Sequence, residues 1–379
     1  MHKNFIKILL LAITLVSCGK KETKQVSDLE LKKVSFEQIE GWNTDNHEEA
    51  FDAFLQSCER LKNRNGTFIA NSEIKIPTTD FLSVCKKAHD IEATQFKNFV
   101  EANFEPNLVV YKNNHIGKFT SYYEPKIKVS YKKNETFKFP IHAKPLDLIE
   151  FNPHDFDNNL PSKRLVGRIE DQKLIPYYTR DEIYKGKGQI PVLLWADSFV
   201  DVYIMHIQGP ALAELPDGSQ IRISYADTNG LKFSGIGSIL LDNNELKKGK
   251  ATMIDIKNWL LNNTEKALSY MNQNKRYVFH QLIGATGPLG AMGIPLTAGR
   301  SLAIDPRFIP LGALMWLDTT APDGKKIQKL ISAQDVGGAI KGAIRGDYFW
   351  GSGGDEILAL AGKMNSEGSY YIFIPKSGE

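Results

Sequence analysis

Two short apolar runs are joined by a glycine-rich loop in residues 330–350, which read LISAQDVGGAIKGAIRGDYFW. Asp335 and Asp347 each stand at the edge of one of these β-like runs, with glycines nearby. A carboxylate in such a position can line a cleft in which the backbone comes close to a ligand. The same spacing is also typical of an ordinary turn, and the aromatic run after Asp347 is also typical of a core strand. The stretch therefore predicts a β-rich fold and offers two candidate functional carboxylates.

Short alternating runs continue on both sides of this stretch, separated by loops rich in Pro, Asn, Asp and Gly. This pattern predicts an antiparallel barrel or sandwich. The predicted strands are 108–111, 117–123, 126–131, 191–195, 199–208, 220–225, 301–304, 313–317, 330–333 and 370–374. Residues 40–103 instead predict helices, at about 47–62 and 78–88, because apolar residues recur there at helical spacing. Further helices are predicted at 253–271 and 355–364.

The composition excludes several classes of protein. The 379 residues are 42% hydrophobic and 24% charged, which is typical of a globular chain of two or three domains. A formal charge of +3 gives no electrostatic case for nucleic-acid binding. Three cysteines are too few for a disulfide scaffold, and no Cys and His residues have the spacing of a zinc site. The sequence also lacks a serine-nucleophile elbow, a zinc-protease helix and a phosphate loop, so we expect no metal and no cofactor.

The first 18 residues are predicted to be a signal peptide. A short basic start precedes an apolar run at 8–16, which is too short to cross a bilayer as a permanent helix. The following Leu15-Val16-Ser17-Cys18 resembles a bacterial lipobox, in which the cysteine is acylated and becomes the new N-terminus. Acylation of Cys18 would hold the protein on a membrane, with the polar residues 19–39 as a tether. The alternative is an ordinary signal peptide or an uncleaved anchor.

Cys58 and Cys85 remain once Cys18 is assigned to lipidation. They lie on the two predicted helices 47–62 and 78–88. In an exported protein these cysteines could pair and join the helices, or they could be two buried thiols. In either case we expect a structural role for them and no redox chemistry.

Seven segments in order resemble the membrane-bound lytic murein transglycosylase A family. They are FTSYYEP at 119–125, WADSF at 195–199, HIQG at 206–209, YADTNG at 225–230, GAMGIPLTAGR at 290–300, IPLG at 309–312, and DVGGAIKG at 335–342 with RGD at 345–347. Any one segment would be weak support, but seven in order behind a lipobox are specific. One departure is Ala298, where many relatives have Pro.

The resemblance implies a mainly β fold with N-terminal helices. Its larger domain would be a double-psi β-barrel, made from residues 40–125 and 277–379. Residues 126–276 would form an inserted, smaller β-barrel domain. The substrate groove would lie between the two domains, because ligand sites are common at domain interfaces.

The implied reaction is non-hydrolytic cleavage of the β-1,4 bond between N-acetylmuramic acid and N-acetylglucosamine in peptidoglycan, leaving 1,6-anhydro ends. Asp347 matches the family's single general acid and then base. Asp335 would either support Asp347 or anchor the glycine turn that follows it, and Asp305 would be structural. The implied substrate-binding residues are Thr120, Tyr123, Glu124, Gln208, Gly209, Gly337, Gly338, Tyr348 and Trp350.

The resemblance also implies partners and a location. The partners would be peptidoglycan glycan strands, the membrane through lipid on Cys18, and proteins of a wall-remodelling complex. Gly19 after the cysteine lacks the aspartate of many inner-membrane lipoproteins, which favours the outer membrane, facing the periplasm. Two alternative functions are a non-catalytic cell-wall polysaccharide-binding lipoprotein and a hydrolytic muramidase.

Overall fold

The structure is a computed structural model, and it describes residues 28–377. The predicted signal peptide, the lipidation site Cys18 and the first part of the tether lie outside the described residues. The prediction of a tether is wrong for the part that is described, because Leu29–Lys33 is a strand paired with Phe104–Tyr111. Within residues 28–377 no helix combines the length and the apolar character that crossing a bilayer requires.

The helices in this part of the chain are short. They are α1 Phe51–Leu61, α2 Thr78–Ala88, α3 Phe96–Asn103, α4 Arg180–Tyr184, α5 Phe199–Gln208, α6 Ile236–Asp242, α7 Met253–Asn262, α8 Thr264–Gln273 and α9 Asp355–Ala361. The predicted helices 47–62 and 78–88 correspond to α1, preceded by a 3-10 turn at His47–Ala50, and to α2. The single helix predicted at 253–271 is instead two helices, since Asn263 leaves the helical conformation between α7 and α8.

Most of the predicted short strands are present. The strands are β1 Leu29–Lys33, β2 Phe104–Tyr111, β3 Gly117–Ser130, β4 Phe139–His142, β5 Ile149–Phe151, β6 Leu165–Glu170, β7 Lys173–Pro176, β8 Val192–Ala196, β9 Ala211–Glu214, β10 Gln220–Thr228, β11 Val278–Ile283, β12 Ser301–Ile304, β13 Leu314–Thr320, β14 Lys326–Val336, β15 Arg345–Gly353 and β16 Asn365–Pro375. The two strands predicted at 117–123 and 126–131 are one continuous strand, β3.

Six strands are hydrogen-bonded in a closed ring. Their order is β16, β13, β14, β12, β15 and β3, and β3 pairs again with β16. Apolar side chains of the ring pack against α1, α2 and α3 in one continuous core, which contains Phe54, Phe96 and Trp316. The N-terminal helices therefore cover the ring that the C-terminal strands build.

The strand β3 belongs to two sheets. Its residues 118–125 pair with β15 of the ring, whereas residues 126–128 pair with β9 and residues 129–130 pair with β8. Strands β9, β10 and β11 continue on one side, and β4 pairs with β8 on the other. This second region has hydrophobic clusters of its own, such as the one around Ile127, Leu194 and Ile223. The strand passes from the ring to the second region between Pro125 and Lys126.

The prediction of a strand at 199–208 is wrong, because these residues form helix α5. Ser198 caps the helix by accepting a hydrogen bond from the backbone N–H of Asp201 at 3.1 Å, and Gly209 ends it at a φ of 96°. The helix is buried on nearly all sides, from Val200 to His206. A helix without a polar face shows no helical periodicity, so an accidental alternation of residues resembled a strand.

A disulfide bond joins α1 to α2. The Cα atoms of Cys58 and Cys85 are 5.5 Å apart, and both residues are buried in the core beneath the ring. The bridge spans a sequence separation of 27 residues. Because the bond closes a loop of this length, it lowers the entropy of the unfolded chain and so stabilises the fold by about 3.5 kcal/mol.

A buried ion cluster ties the N-terminal segment to the ring. The Arg300 guanidinium is fully buried and donates to both oxygens of Asp45, at 2.7 and 2.8 Å. Asp45 also accepts from the backbone N–H of Leu330 in β14 at 2.9 Å, and Arg300 donates to Glu49 at 2.8 Å. Because the forked Arg–Asp pair is shielded from water, its geometry fixes the 3-10 turn and α1 against the sheet.

Replacing Asp45 with alanine should destabilise the protein by about 3 kcal/mol, because Arg300 would keep a buried charge with only Glu49 as an anionic partner. Urea denaturation of Asp45→Ala and of the parent measures this difference. Glu48→Ala is the matched control, since Glu48 is exposed three residues away, and its change should stay within about 0.5 kcal/mol. Equal effects of the two substitutions would contradict the assignment.

Candidate active site

Neighbouring strands place the candidate carboxylates in one row across the sheet. Ala303 of β12 is paired with Asp335 on one side and with Asp347 on the other. Asp347 is in turn paired with Thr120 of β3. Side chains in one cross-strand row point to the same face. At about 4.8 Å per strand, the Cα atoms of the two aspartates lie roughly 10 Å apart across the small Ala303.

Asp347 is held by a chain of two hydrogen bonds. The Thr120 hydroxyl donates to Oδ1 of Asp347. The Arg345 guanidinium donates from Nη2 to the Thr120 oxygen at 2.7 Å. Because arginine only donates, the single hydroxyl hydrogen of Thr120 must point at the carboxyl group. A proton on Asp347 therefore belongs on Oδ2, the oxygen that Thr120 leaves free.

The surroundings of Asp347 favour its protonated form. Burial raises the pKa of Asp347 to about 6, and the nearby negative charge of Asp335 adds to the rise. The hydrogen bond from Thr120 and the positive charge of Arg345 act in the opposite direction. A carboxylic acid with a pKa in this range can donate a proton in mildly acidic solution and take it back, which suits a general acid and base.

Asp335 is fixed by three donors. Its Oδ2 accepts from the Tyr122 hydroxyl at 2.8 Å, and its Oδ1 accepts from the backbone N–H groups of Ala291 and Val336, each at 2.9 Å. Burial raises the pKa of Asp335, while these donors oppose the rise because they stabilise the carboxylate. Asp335 thus both neighbours Asp347 and anchors local backbone, so the two roles considered for it do not exclude each other.

Three side chains implied as substrate-binding are buried. Tyr348 points to the opposite face of β15 from Asp347 and packs into the core of the ring, since successive strand residues alternate. Tyr123 belongs to a small buried cluster with Leu358 of α9, and the Glu124 side chain has no exposed surface. Their burial contradicts the prediction that the side chains of Tyr123, Glu124 and Tyr348 contact a polymer directly.

The other implied binding residues are accessible to different degrees. Thr120, Trp350, Gln208, Gly209 and Gly337 are partly exposed, and Gly338 is exposed. Gln208 ends helix α5 in the second region, and Gly209 follows it. In the loop after Asp335, a Cβ on Gly337 would lie 2.5 Å from the Ile340 side chain, so this turn requires glycine there.

Asp305 lies away from any exposed surface. The Arg307 side chain, which donates to both of its oxygens, and the backbone N–H of Gly342 lower the pKa of Asp305 to about 2, against the effect of burial. Such a permanently ionised, fully bonded carboxylate holds a loop in place. Its position is in keeping with the structural role expected for it.

Tyr122 and Arg345 are site residues that the sequence did not single out. Each lies two positions from a residue of the row, Tyr122 after Thr120 and Arg345 before Asp347. Strand residues two apart share a face, so this period was the available signal. The Tyr122 ring also packs on Phe349 at a centroid distance of 5.1 Å.

No metal site is formed among residues 28–377, since no three His, Cys, Asp or Glu side chains lie together as ligands. Buried histidines do stack in the second region, where the rings of His206 and His280 are 5.3 Å apart. Arg180 donates to Nδ1 of His206 at 2.9 Å, and burial lowers the pKa of His280 to about 3. An adjacent guanidinium repels a cation, so this is a packed cluster of neutral rings.

Comparisons with known proteins agree with this architecture. The family model described as "MltA specific insert domain" matches residues 118–281, and the model described as "3D domain" matches residues 300–374. The membrane-bound lytic murein transglycosylase A homolog of Buchnera aphidicola is 27% identical over 98% of this chain and 96% of its own length.

Solved structures give a similar result. The crystal structure of MltA from Neisseria gonorrhoeae superimposes with a TM-score of 0.82 at 32% identity, covering 93% of this chain and 94% of its own. Escherichia coli MltA with bound chitohexaose has a TM-score of 0.63 at 23% identity, covering 86% and 90%, which is a likeness of fold.

Replacing Thr120 with valine should raise the pKa of Asp347 above 6, by roughly one pH unit, because the carboxylate loses its hydrogen bond. Carbon-13 NMR titration of the aspartate carboxyl carbons measures this value. Thr120→Ser keeps the hydroxyl and should keep the pKa of the parent. Ser121→Ala removes a hydroxyl that bonds the Ala361 carbonyl, away from Asp347, and should also leave it unchanged. A lowered or constant pKa in Thr120→Val would refute the arrangement.

Proposed function

The chain belongs to the membrane-bound lytic murein transglycosylase A family, and we propose that it cleaves the β-1,4 bond between N-acetylmuramic acid and N-acetylglucosamine without using water. The observation that carries this proposal is the state of Asp347. This carboxyl group has a pKa of about 6 and is held by Thr120 so that its proton belongs on the free oxygen. A proton in that place can be donated to a glycosidic oxygen.

The reaction begins with Asp347 as a general acid. Oδ2 of Asp347 gives its proton to the oxygen that links the two sugars, and the bond from this oxygen to C1 of the muramic acid breaks. The N-acetylglucosamine then leaves with a free 4-hydroxyl group. Arg345, acting through Thr120, stabilises the carboxylate that remains on Asp347.

The second half uses Asp347 as a base. The C6 hydroxyl of the same muramic acid attacks C1, and its proton passes to the Asp347 carboxylate. A 1,6-anhydro ring forms, and the acid is restored without a water molecule. Because the nucleophile is part of the substrate, an effective molarity of about 10⁵ M or more can replace a second catalytic group.

The surroundings of Asp335 support this route over hydrolysis. Hydrolytic glycosidases need a second carboxylate that activates water or attacks the sugar. Asp335 is the neighbouring carboxylate in the row, but three hydrogen bonds occupy both of its oxygens. We assign it the supporting role, in which its charge raises the pKa of Asp347.

We propose that the six-stranded ring is a double-psi β-barrel. We also propose that the inserted barrel domain begins at residue 126 and extends beyond the expected bound of 276 to Ile283, because β11 pairs with β10. The double use of β3 supports this division. A bridge between Ala143 and His280 supports closure of the second barrel, because it connects the end of β4 to β11. Glycan would then lie in the groove between the domains, with Gln208, Gly209 and the exposed loop at Gly338 as contacts. Trp350 is set apart from them, because its ring packs on Tyr348, on the face of β15 opposite to Asp347.

We also propose attachment to the bacterial outer membrane through lipid on Cys18. The relatives are named membrane-bound murein enzymes, which supports a place in the cell envelope. The lipobox and Gly19 support the outer membrane. Partners in a wall-remodelling complex remain part of this proposal.

Asp347→Asn should lower the cleavage of purified sacculi by at least about 100-fold, because the general acid is lost. Mass analysis of the muropeptides should show ends lighter by one water with the parent protein. Asp323→Asn, on an exposed turn, is the matched control and should behave as the parent. Ends of hydrolysed mass would indicate a muramidase, and binding of sacculi with no cleavage would indicate the non-catalytic alternative.

Activity should fall as the pH rises through about 6, since Asp347 then loses the proton that it must donate. Asp335→Asn should move this fall to a lower pH, because removing a neighbouring negative charge lowers the pKa of Asp347. Initial rates with sacculi from pH 4 to pH 8 (a range of about two pH units on each side of 6) measure both effects. If the activity of Asp335→Asn instead fell at a higher pH than that of the parent, the argument from the charge of Asp335 would be contradicted.

A further inference from the structure

Glu124 makes a buried contact between the two regions of the chain. Its side chain has no exposed surface, and its Oε2 accepts hydrogen bonds from Arg222 of β10 and from the Ser352 hydroxyl of β15. Its Oε1 has no hydrogen-bond partner among residues 28–377. A carboxylate this deeply buried cannot touch a polymer, yet it brings together a strand of the ring and a strand of the second region.

The position of Glu124 on β3 gives this contact its importance. Glu124 is paired with Ser352 and Pro125 with Gly353, and these pairs are the last between β3 and β15. The next residue, Lys126, is already paired with Leu212 of β9. Glu124 therefore lies where β3 passes from one sheet to the other.

Arg222 also contacts the segment in which the chain returns from the second region to the ring. Besides its ion pair with Glu124, it donates from Nη2 to the Thr286 carbonyl at 2.9 Å. Thr286 lies in the loop that leads from β11 back toward β12, and with Arg222 and Leu282 it lines a cavity of about 560 Å³. The outward crossing on β3 and the return crossing at Thr286 are thus fixed by one guanidinium.

We propose that Glu124 and Arg222 are positioning residues that set the angle between the two regions, and hence the width of the groove that grips a long glycan. This inference rests on the proposed function for its substrate. The pair acts by position alone, since Glu124 is buried beneath the junction.

The geometry predicts which kinetic constant depends on the pair. The register between β3 and β15 shifts between Phe349 and Ser352, which separates the junction from Asp347. Thr120 and Asp347 stay joined on the near side of that shift. Loss of the Glu124–Arg222 contact should therefore weaken the binding of glycan while leaving Asp347 in place. We expect KM to change more than kcat.

The test compares Glu124→Gln and Arg222→Met with Lys126→Met. Lys126 forms an exposed ion pair with Glu214 of β9, within the second region and next to the same junction, so it is a matched control for loss of charge. With sacculi as substrate, KM should rise about tenfold in the two buried variants, with kcat within about twofold and the pKa of Asp347 unchanged. Arg222→Lys keeps the charge but loses the forked geometry, so its KM should lie between those of the parent and Arg222→Met.

Binding separates this inference from the proposed function. In an Asp347→Asn background, co-sedimentation with sacculi measures glycan affinity without any cleavage. The added Glu124→Gln or Arg222→Met change should weaken binding by about tenfold, and added Lys126→Met should not. Unchanged binding in the buried variants would overturn the positioning role, whatever products the parent protein makes. A parent that binds sacculi but yields no anhydro ends would instead overturn the proposed reaction.

Discussion

The parallel pairing of β3 with β15 is the constraint on which the site depends. Its register sets Thr120 beside Asp347, and β12 on the other side of β15 brings Asp335 into the same row. A slip of one residue would turn the Thr120 side chain to the opposite face of the sheet. The acid would then lose both the hydrogen bond that orients its proton and, through Thr120, its connection to Arg345. The proposed chemistry therefore depends on backbone pairing between segments that are 227 residues apart at Thr120 and Asp347.

The same strand also joins the two regions of the molecule. Because β3 continues from the ring into the second sheet, the site and the junction between the regions share one rigid element. Glu124 lies four residues from Thr120 on that strand, and its burial with Arg222 adds an ionic contact to the backbone ladder. The proposed groove between the two regions requires a fixed angle between them, and a continuous strand with a buried ion pair favours such an angle.

Burial of Asp347 has a cost for stability that is linked to its chemistry. Its pKa is raised from 3.8 to about 6, so the folded protein binds this proton more tightly than the unfolded chain does. The resulting stabilisation is complete below the unfolded value and is lost as the pH rises through about 6. Interactions elsewhere offset the loss, such as the buried Arg300–Asp45 pair and the Cys58–Cys85 bridge. The N-terminal helices therefore stabilise a ring in which Asp347 favours the folded state only when it is protonated.

The sequence by itself determined most of the local elements and singled out Asp347 as the candidate acid. Helices α1 and α2 have apolar residues at helical spacing, and strand β12 is a short run of buried residues. The segment around Asp347 was recognisable from its resemblance to a family. Only the tertiary structure decided which way the side chains point. It buried Tyr123, Glu124 and Tyr348, made a helix of 199–208, and brought Tyr122 and Arg345 into the site. The physical reason is that local periodicity fixes the alternation of side chains along an element, whereas the partner across each face depends on the register with distant strands.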